Sequence, residues 1–340
     1  MSHALNDIWF VLVGVLLTGY VLLDGFDLGV GALHRFARGD RNRRMLMNAI
    51  GPFWDGNEVW LITGGGALFA AFPEVYATAF SGLYLALMLF LLALISRAVS
   101  LEFRGQRPGA RWRAFWDTGF STGSALAVLL LGVALGNLAW GLPLRADHEY
   151  AGSFLGLLKP YALLTGVTAL AAITLHGALY LCVKTEGELQ QQARGWARNA
   201  GVAFVAGYLL TTIATWIWAP PMVAPFRRHP ALWVLPLLTV LAIVSLVLAW
   251  RRERHGQAFL SSCVMLASLL ATFGVGMYPN LIRSNPLPEH SLTVVNAASS
   301  PKTLGVMLVI AAIGMPLVIA YSIYAYRAFR GKVKLDATSY

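Results

Sequence analysis

Charged side chains are scarce in this sequence. Asp, Glu, Lys and Arg make up 12% of its 340 residues, against roughly a quarter in soluble domains, which excludes a soluble multidomain protein. Cysteine is nearly missing. Cys182 and Cys263 both fall in apolar stretches and no Cys-x-x-Cys pair occurs, so a disulfide framework, a zinc ribbon and a c-type haem attachment site are excluded. No Gly-x-x-x-x-Gly-Lys run is present, which removes the phosphate-cradling loop. Met1–Asp7 has no basic segment and the apolar run behind it is too long for a cleaved signal, so the first helix is expected to be kept as a span. Of the seven histidines only His176 lies inside an apolar segment. His3, His34, His148, His229, His255 and His290 fall in loops or at segment ends, so a haem held by histidines on two facing helices is not supported. A lone intramembrane histidine reads as a hydrogen-bonded structural residue.

What is abundant is hydrophobic sequence, 57% of the chain. Apolar runs near the roughly 20 residues that cross a bilayer recur throughout. They predict an all-α polytopic membrane protein of about nine transmembrane helices, at about 8–32, 52–72, 75–97, 117–140, 161–183, 199–219, 231–250, 257–279 and 303–326. Pro220, Pro221, Pro225 and Pro230 separate the sixth from the seventh, because proline disfavours continuous helix. The net charge of +10 points to membrane topology rather than nucleic acid. With the N-terminus outside, 20 of the 26 Lys and Arg fall in cytoplasmic turns and 6 in external loops, the positive-inside pattern, which predicts N-out and C-in. The whole chain is one integral membrane domain: a first bundle at about 8–140, a second at about 161–279, and an extra C-terminal helix at about 303–326. A short match between Arg41–Gly51 and Gln191–Gly201 supports four helices per bundle.

The first two spans carry the polar residues. Asp24 and Asp27 are three apart on one helix face, and Asp55 and Glu58 repeat that spacing at the start of the next span. The turn between them brings four acids together near the cytoplasmic surface. Ionisable groups at membrane depth are costly and are functional by default, and a carboxylate there can accept and release protons. The structural alternative is that the helix dipole favours Asp55 and Glu58 and that the arginines of the turn neutralise all four. Arg97 and Asp117 bracket the next cytoplasmic loop, either as an ion pair or as part of a polar path. Gly25, Gly29, Gly31 and Gly64–Gly66 read as close helix approaches, and the tryptophans flanking the spans as an interfacial belt.

Asp24-Gly25-Phe26-Asp27-Leu28-Gly29, preceded by Gly19-Tyr20, resembles the signature of subunit II of cytochrome bd-type quinol oxidases. So does the run Trp54-Asp55-Gly56-Asn57-Glu58-Val59-Trp60 through Thr63-Gly64-Gly65-Gly66 to Pro73. Arg111-Trp112-Arg113, Trp116-Asp117, Gly136-Asn137 and His176-Gly177-Ala178 extend the likeness over nearly the whole chain. The compact link between the sixth and seventh spans resembles the shorter, cyanide-insensitive branch. The resemblance implies a multi-pass protein of the bacterial inner membrane, in a complex that oxidises quinol, reduces oxygen to water and takes up cytoplasmic protons. It implies that two b-type haems and one d-type haem sit in a partner, subunit I, that this chain binds none directly, and that a ubiquinone and a small single-helix accessory subunit can be bound. Asp55 matches the position of a proton path at the subunit interface. Asp27, Asp24, Glu58, Arg97 and Asp117 lie at matching or neighbouring motif positions. Two other readings remain open on the residues alone: a stand-alone proton- or cation-coupled transporter, disfavoured because the acids lie near one face rather than at the midplane, and a pure scaffold.

Overall fold

The computed structural model describes residues 2–335; Met1 and residues 336–340, the end of the tail that follows Arg327, lie outside the described residues, as do the side chains of Ser2 and His3. The long apolar runs are helices because a bilayer leaves backbone N–H and C=O groups no partner outside the segment itself. α1 (Ser2–His34) spans about 50 Å at 1.5 Å per residue, well beyond the hydrocarbon thickness. Behind it α2 (Gly39–Ile50) is short and amphipathic: Asp40, Arg41, Arg43 and Arg44 open it and Leu46, Met47, Ala49 and Ile50 are buried. A helix of that pattern lies along a membrane surface rather than through it.

α3 (Trp54–Ala71) stops at Phe72, whose φ of −136° and ψ of 68° are not helical. The residue before a proline is pushed out of the α region, and Pro73 then opens α4 (Pro73–Gly82) at a position where a missing N–H costs nothing. The two are bent by 119°. This corrects the third span, expected at 75–97. Residues 73–82 belong to the bent segment, Leu83 breaks the chain again, and the span is α5 (Tyr84–Phe103). α6 (Ala110–Trp140), α7 (Pro160–Lys184) and α8 (Gly187–Trp218) follow. The four prolines of the next link open successive short turns, including α9 (Ala224–Arg228), and α10 (Val234–Arg251) begins only after them. α11 (His255–Met277) leads into a small antiparallel hairpin, β1 (Asn280–Ile282) with β2 (Leu292–Thr293), and then into α12 (Pro301–Ala328). Among the described residues eight helices are long and apolar enough to cross a membrane, and α3 with α4 makes a ninth if the bent pair is one span.

α1 and α7 form the centre and touch backbone to backbone. A Cβ on Gly177 would lie 2.5 Å from the Gly29 carbonyl carbon and the Val30 nitrogen. Gly31 is likewise closed off by Ser124 and Phe120 of α6. Of the three glycines at 64–66 only Gly64 meets a neighbouring helix, at Leu17; Gly65 and Gly66 face open space. Close approach within this chain therefore explains the first of that run and not the other two. α12 lies outside, with Leu304 its one buried residue.

The basic turns gather at one end. Arg104 and Arg113 bind Asp40 of α2, Arg194 of α8 pairs with Glu253 in the α10–α11 turn, and Lys184 and Lys332 tie the end of α7 to the segment after α12. Asp40 is partly buried, which opposes ionisation, but the two guanidinium groups outweigh this and hold its carboxyl below the usual value. The opposite end is closed by the hairpin, with Asn6 bonded to the Val294 carbonyl and the Trp9 indole to the Leu304 carbonyl.

Candidate functional site

Four helices bring the polar residues of the first two spans together. Asp24 and Asp27 project from α1 about 15 Å and about 10 Å before its end. Both are fully buried. Arg97 reaches Asp24 from α5, donating through Nη2 to Oδ1 at 2.6 Å and through Nη1 to Oδ2 at 3.1 Å. This is the bidentate fork that a planar guanidinium is shaped to make. Arg97 is itself fully buried, and the Trp54 ring stands 5.9 Å from its guanidinium carbon. Of the arginines in the first turn, which the structural alternative pairs with these acids, Arg43 reaches Asp117, and it is Arg97 that serves Asp24.

Glu58 stands one turn further out on α3, its Oε2 4.0 Å from Arg97 Nη1, and keeps a fifth of its side-chain surface exposed. Asp55, a further turn out, is exposed and has no hydrogen bond or ion pair among the described residues. Asp27 accepts a 2.7 Å bond from the Asn57 amide, while its other oxygen has no partner. The amide oxygen of Asn57 in turn accepts from the Tyr326 hydroxyl of α12 at 3.0 Å. One guanidinium thus faces three carboxylates, and the acids run from exposed Asp55 through half-shielded Glu58 to buried Asp24 and Asp27. Asn57 and Tyr326 were not singled out from the sequence. Asn57 lies inside the most distinctive motif, but nothing in the sequence connects Tyr326 to it.

Asp117 belongs to a second cluster, and no hydrogen bond or ion pair joins it to Arg97 among the described residues. Its carboxylate takes His34 Nε2 and Arg104 Nε on one oxygen, each at 2.6 Å, and Arg43 Nη1 on the other at 3.0 Å. These partners come from the end of α1, the end of α5 and α2. The arrangement ties four segments together where the chain turns, and it uses His34, Arg43 and Arg104, which sequence spacing alone leaves as surface residues. His176 is buried on α7 and uses both ring nitrogens, Nδ1 at 2.7 Å from the Ser262 hydroxyl and Nε2 at 3.0 Å from the Leu22 carbonyl. Neither nitrogen is free to ligate a metal. Among the described residues no three His, Cys, Asp or Glu side chains converge on a common point.

Beside the acid cluster a cavity of about 340 Å³ opens between α1, α6, α7, α8 and α11. Its walls are almost wholly apolar, and the polar groups among them, Tyr20 and Tyr161 included, are tyrosine and threonine hydroxyls.

The model of the family "Cytochrome bd terminal oxidase subunit II" matches residues 5–329. Subunit 2 of the cytochrome bd-I ubiquinol oxidase of Escherichia coli (strain K12) is 38% identical over 362 residues, covering 97% of this chain and 96% of that protein. Subunit 2 of the cytochrome bd ubiquinol oxidase of Bacillus subtilis (strain 168) is 36% identical over 333 residues, covering 97% of each. In fold the chain is similar to one in the bd oxidase structure from Geobacillus thermodenitrificans, with a TM-score of 0.80, 18% identity, and 96% and 98% of the two chains covered.

Proposed function

The chain belongs to the cytochrome bd terminal oxidase subunit II family, and on that premise we propose that its acid cluster carries protons from the basic end of the bundle toward the oxygen-reducing haem of a partner subunit. The chain is a subunit of a bd-type quinol oxidase, an oxidoreductase complex of the bacterial inner membrane that contains a first subunit and haem. Family membership sets aside the stand-alone transporter. The finer reading is that subunit I holds two b-type haems and one d-type haem, that a small single-helix subunit can join, and that the chain divides into two bundles meeting at α1 and α7. The spent ring nitrogens of His176 agree with placing the haems in the partner. The apolar cavity has the lining a ubiquinone tail needs, and the Tyr20 hydroxyl, which has no hydrogen-bond partner among the described residues, can meet a quinone carbonyl.

The observation that carries the proton reading is the ordering of the acids by exposure. Asp55 is exposed and unpaired on the outer face of α3, and Glu58 lies one turn inward against Arg97. Asp27 has no guanidinium of its own. Asp55 meets water or the partner first, and the inner acids share one cation. A carboxylate that is neither buried nor paired contributes little to stability, so Asp55→Asn should leave assembly and haem content intact. Asparagine keeps shape and hydrogen bonding but cannot titrate. Quinol-driven oxygen consumption per d-type haem should fall about tenfold, equivalent to about 1.4 kcal/mol of added barrier, and Asp55→Glu should retain more activity. Full turnover of the Asn variant at every pH would leave Asp55 with no part in the path and favour a scaffold role for the chain.

The same reading requires the basic end to be cytoplasmic, with the N-terminus periplasmic and the C-terminus cytoplasmic. A reporter joined after Tyr340 that is active only in the cytoplasm should be active in intact cells. Activity there of a periplasm-specific reporter would reverse the orientation and put the acids on the wrong side for cytoplasmic uptake.

A further inference from the structure

The end of the bundle away from the basic turns holds a second cavity, of about 580 Å³, walled by the α6 and α8 ends, the proline-rich link and the hairpin. Arg283 and Arg228 both line it, and no Asp or Glu does. Arg283 is 8% exposed and rests on two backbone carbonyls, donating to Ala139 at 3.2 Å and to Gly276 at 3.0 Å. Burial pulls its guanidinium below the ordinary value, and the one ionisable neighbour opposing this is the Tyr161 phenol. A buried arginine is ordinarily paired with an acid, and a lone buried charge costs several kcal/mol. Here two of its five N–H donors are spent on carbonyls, and no anionic side chain pairs with it among the described residues.

Three further features converge on the same space. The Ser284 hydroxyl, on a residue 2% exposed that lines the cavity, has no hydrogen-bond partner among the described residues. Arg228 is exposed and makes no hydrogen bond or ion pair among the described residues. Trp140 and Trp218, stacked with centroids 6.0 Å apart, form the wall nearest the spans, where indole rings mark the level of lipid headgroups. Two guanidinium groups, a free hydroxyl and an indole wall at headgroup depth make a receptor for a tetrahedral oxyanion.

We propose that this cavity binds a phosphate group, carried by the headgroup of an anionic phospholipid or supplied as free phosphate, with Arg283 and Arg228 neutralising its charge and Ser284 donating a hydrogen bond. The site is separate from the acid cluster and does not depend on the proton reading.

The test uses the purified complete complex and two variants. Arg228→Glu reverses an exposed charge that holds nothing in the fold, and Ser284→Ala removes a hydroxyl that has no internal partner. In one arm the complex is equilibrated with vesicles of phosphatidylcholine with and without phosphatidylglycerol, and retained lipids are counted by native mass spectrometry. In the other arm inorganic phosphate is titrated into delipidated complex by calorimetry. A lipid source predicts that the wild type retains one more phosphatidylglycerol than Arg228→Glu, with no phosphate heat. A free-phosphate source predicts a binding isotherm that Arg228→Glu weakens about tenfold, the loss of one charge-assisted hydrogen bond. Indistinguishable behaviour of the wild type and both variants in both arms overturns the proposal.

Discussion

Arg97→Met should strip the assembled complex from the membrane or lower its melting temperature severely. Methionine fills much of the volume beside Trp54 but leaves Asp24, Asp27 and Glu58 with no cation. Breaking one side of a buried ion pair costs about 3–5 kcal/mol, because the remaining charge stays desolvated and unpaired. That is a large share of the 5–15 kcal/mol that holds a typical domain folded. Arg97→Lys should fall between the two, since an ammonium is a point charge and cannot span both oxygens of Asp24 as the fork does at 2.6 and 3.1 Å. Asp24→Asn combined with Arg97→Met removes the most tightly paired of the three orphaned acids and should recover part of the lost stability. Abundance of the complex in membranes and its melting temperature in detergent check all three. An Arg97→Met complex as abundant and as stable as the wild type would mean that the pair is not what neutralises the cluster.

Gly177→Ala should lower the melting temperature through a different cause. The added methyl has no flexible side chain to displace; it meets the Gly29 carbonyl carbon and the Val30 nitrogen, both backbone, at 2.5 Å. α1 and α7 would have to separate, and overpacking of this kind costs about 1–3 kcal/mol. The separation would also move Asp24 and Asp27, which lie on α1 on either side of Gly25, so turnover per haem should fall together with stability. Gly195→Ala is the control. Gly195 is exposed on α8 with open space around it, and alanine there should be neutral or stabilising by up to about 1 kcal/mol through helix propensity. Equal effects of the two substitutions would show that helix contact at Gly177 is not limiting.

Much of the acid cluster was legible in the sequence because it is built from local spacing. Asp24 with Asp27, and Asp55 with Glu58, share helix faces whatever the rest of the chain does, and the two spans follow one another in the chain, with only the surface helix α2 between them. The partners of those acids were not legible. Arg97 is 73 residues from Asp24, and in sequence it is as plausible a partner for Asp117, which is nearer along the chain. Tyr326 is 269 residues from Asn57. The wrong start of the third span had a local cause that was visible, Pro73, but hydropathy does not register a bend, and Val75–Leu83 is as apolar as a span should be.

The sequence by itself determined the class of the protein, its helices and the gathering of its basic turns, because in a bilayer the backbone must satisfy itself and every long apolar run becomes a helix. It also determined which residues are ionisable at depth. Only the tertiary structure decided which of these are neutralised. Helix packing brings Arg97 onto Asp24, gives His34, Arg43 and Arg104 to Asp117, and leaves Asp55 outward and Asp27 with an amide rather than a guanidinium as its hydrogen-bond partner. Charges without water depend on which partner lies within a few ångströms, and that distance is set by the approach of α1 to α7 and of α5 to α1, which no local pattern encodes.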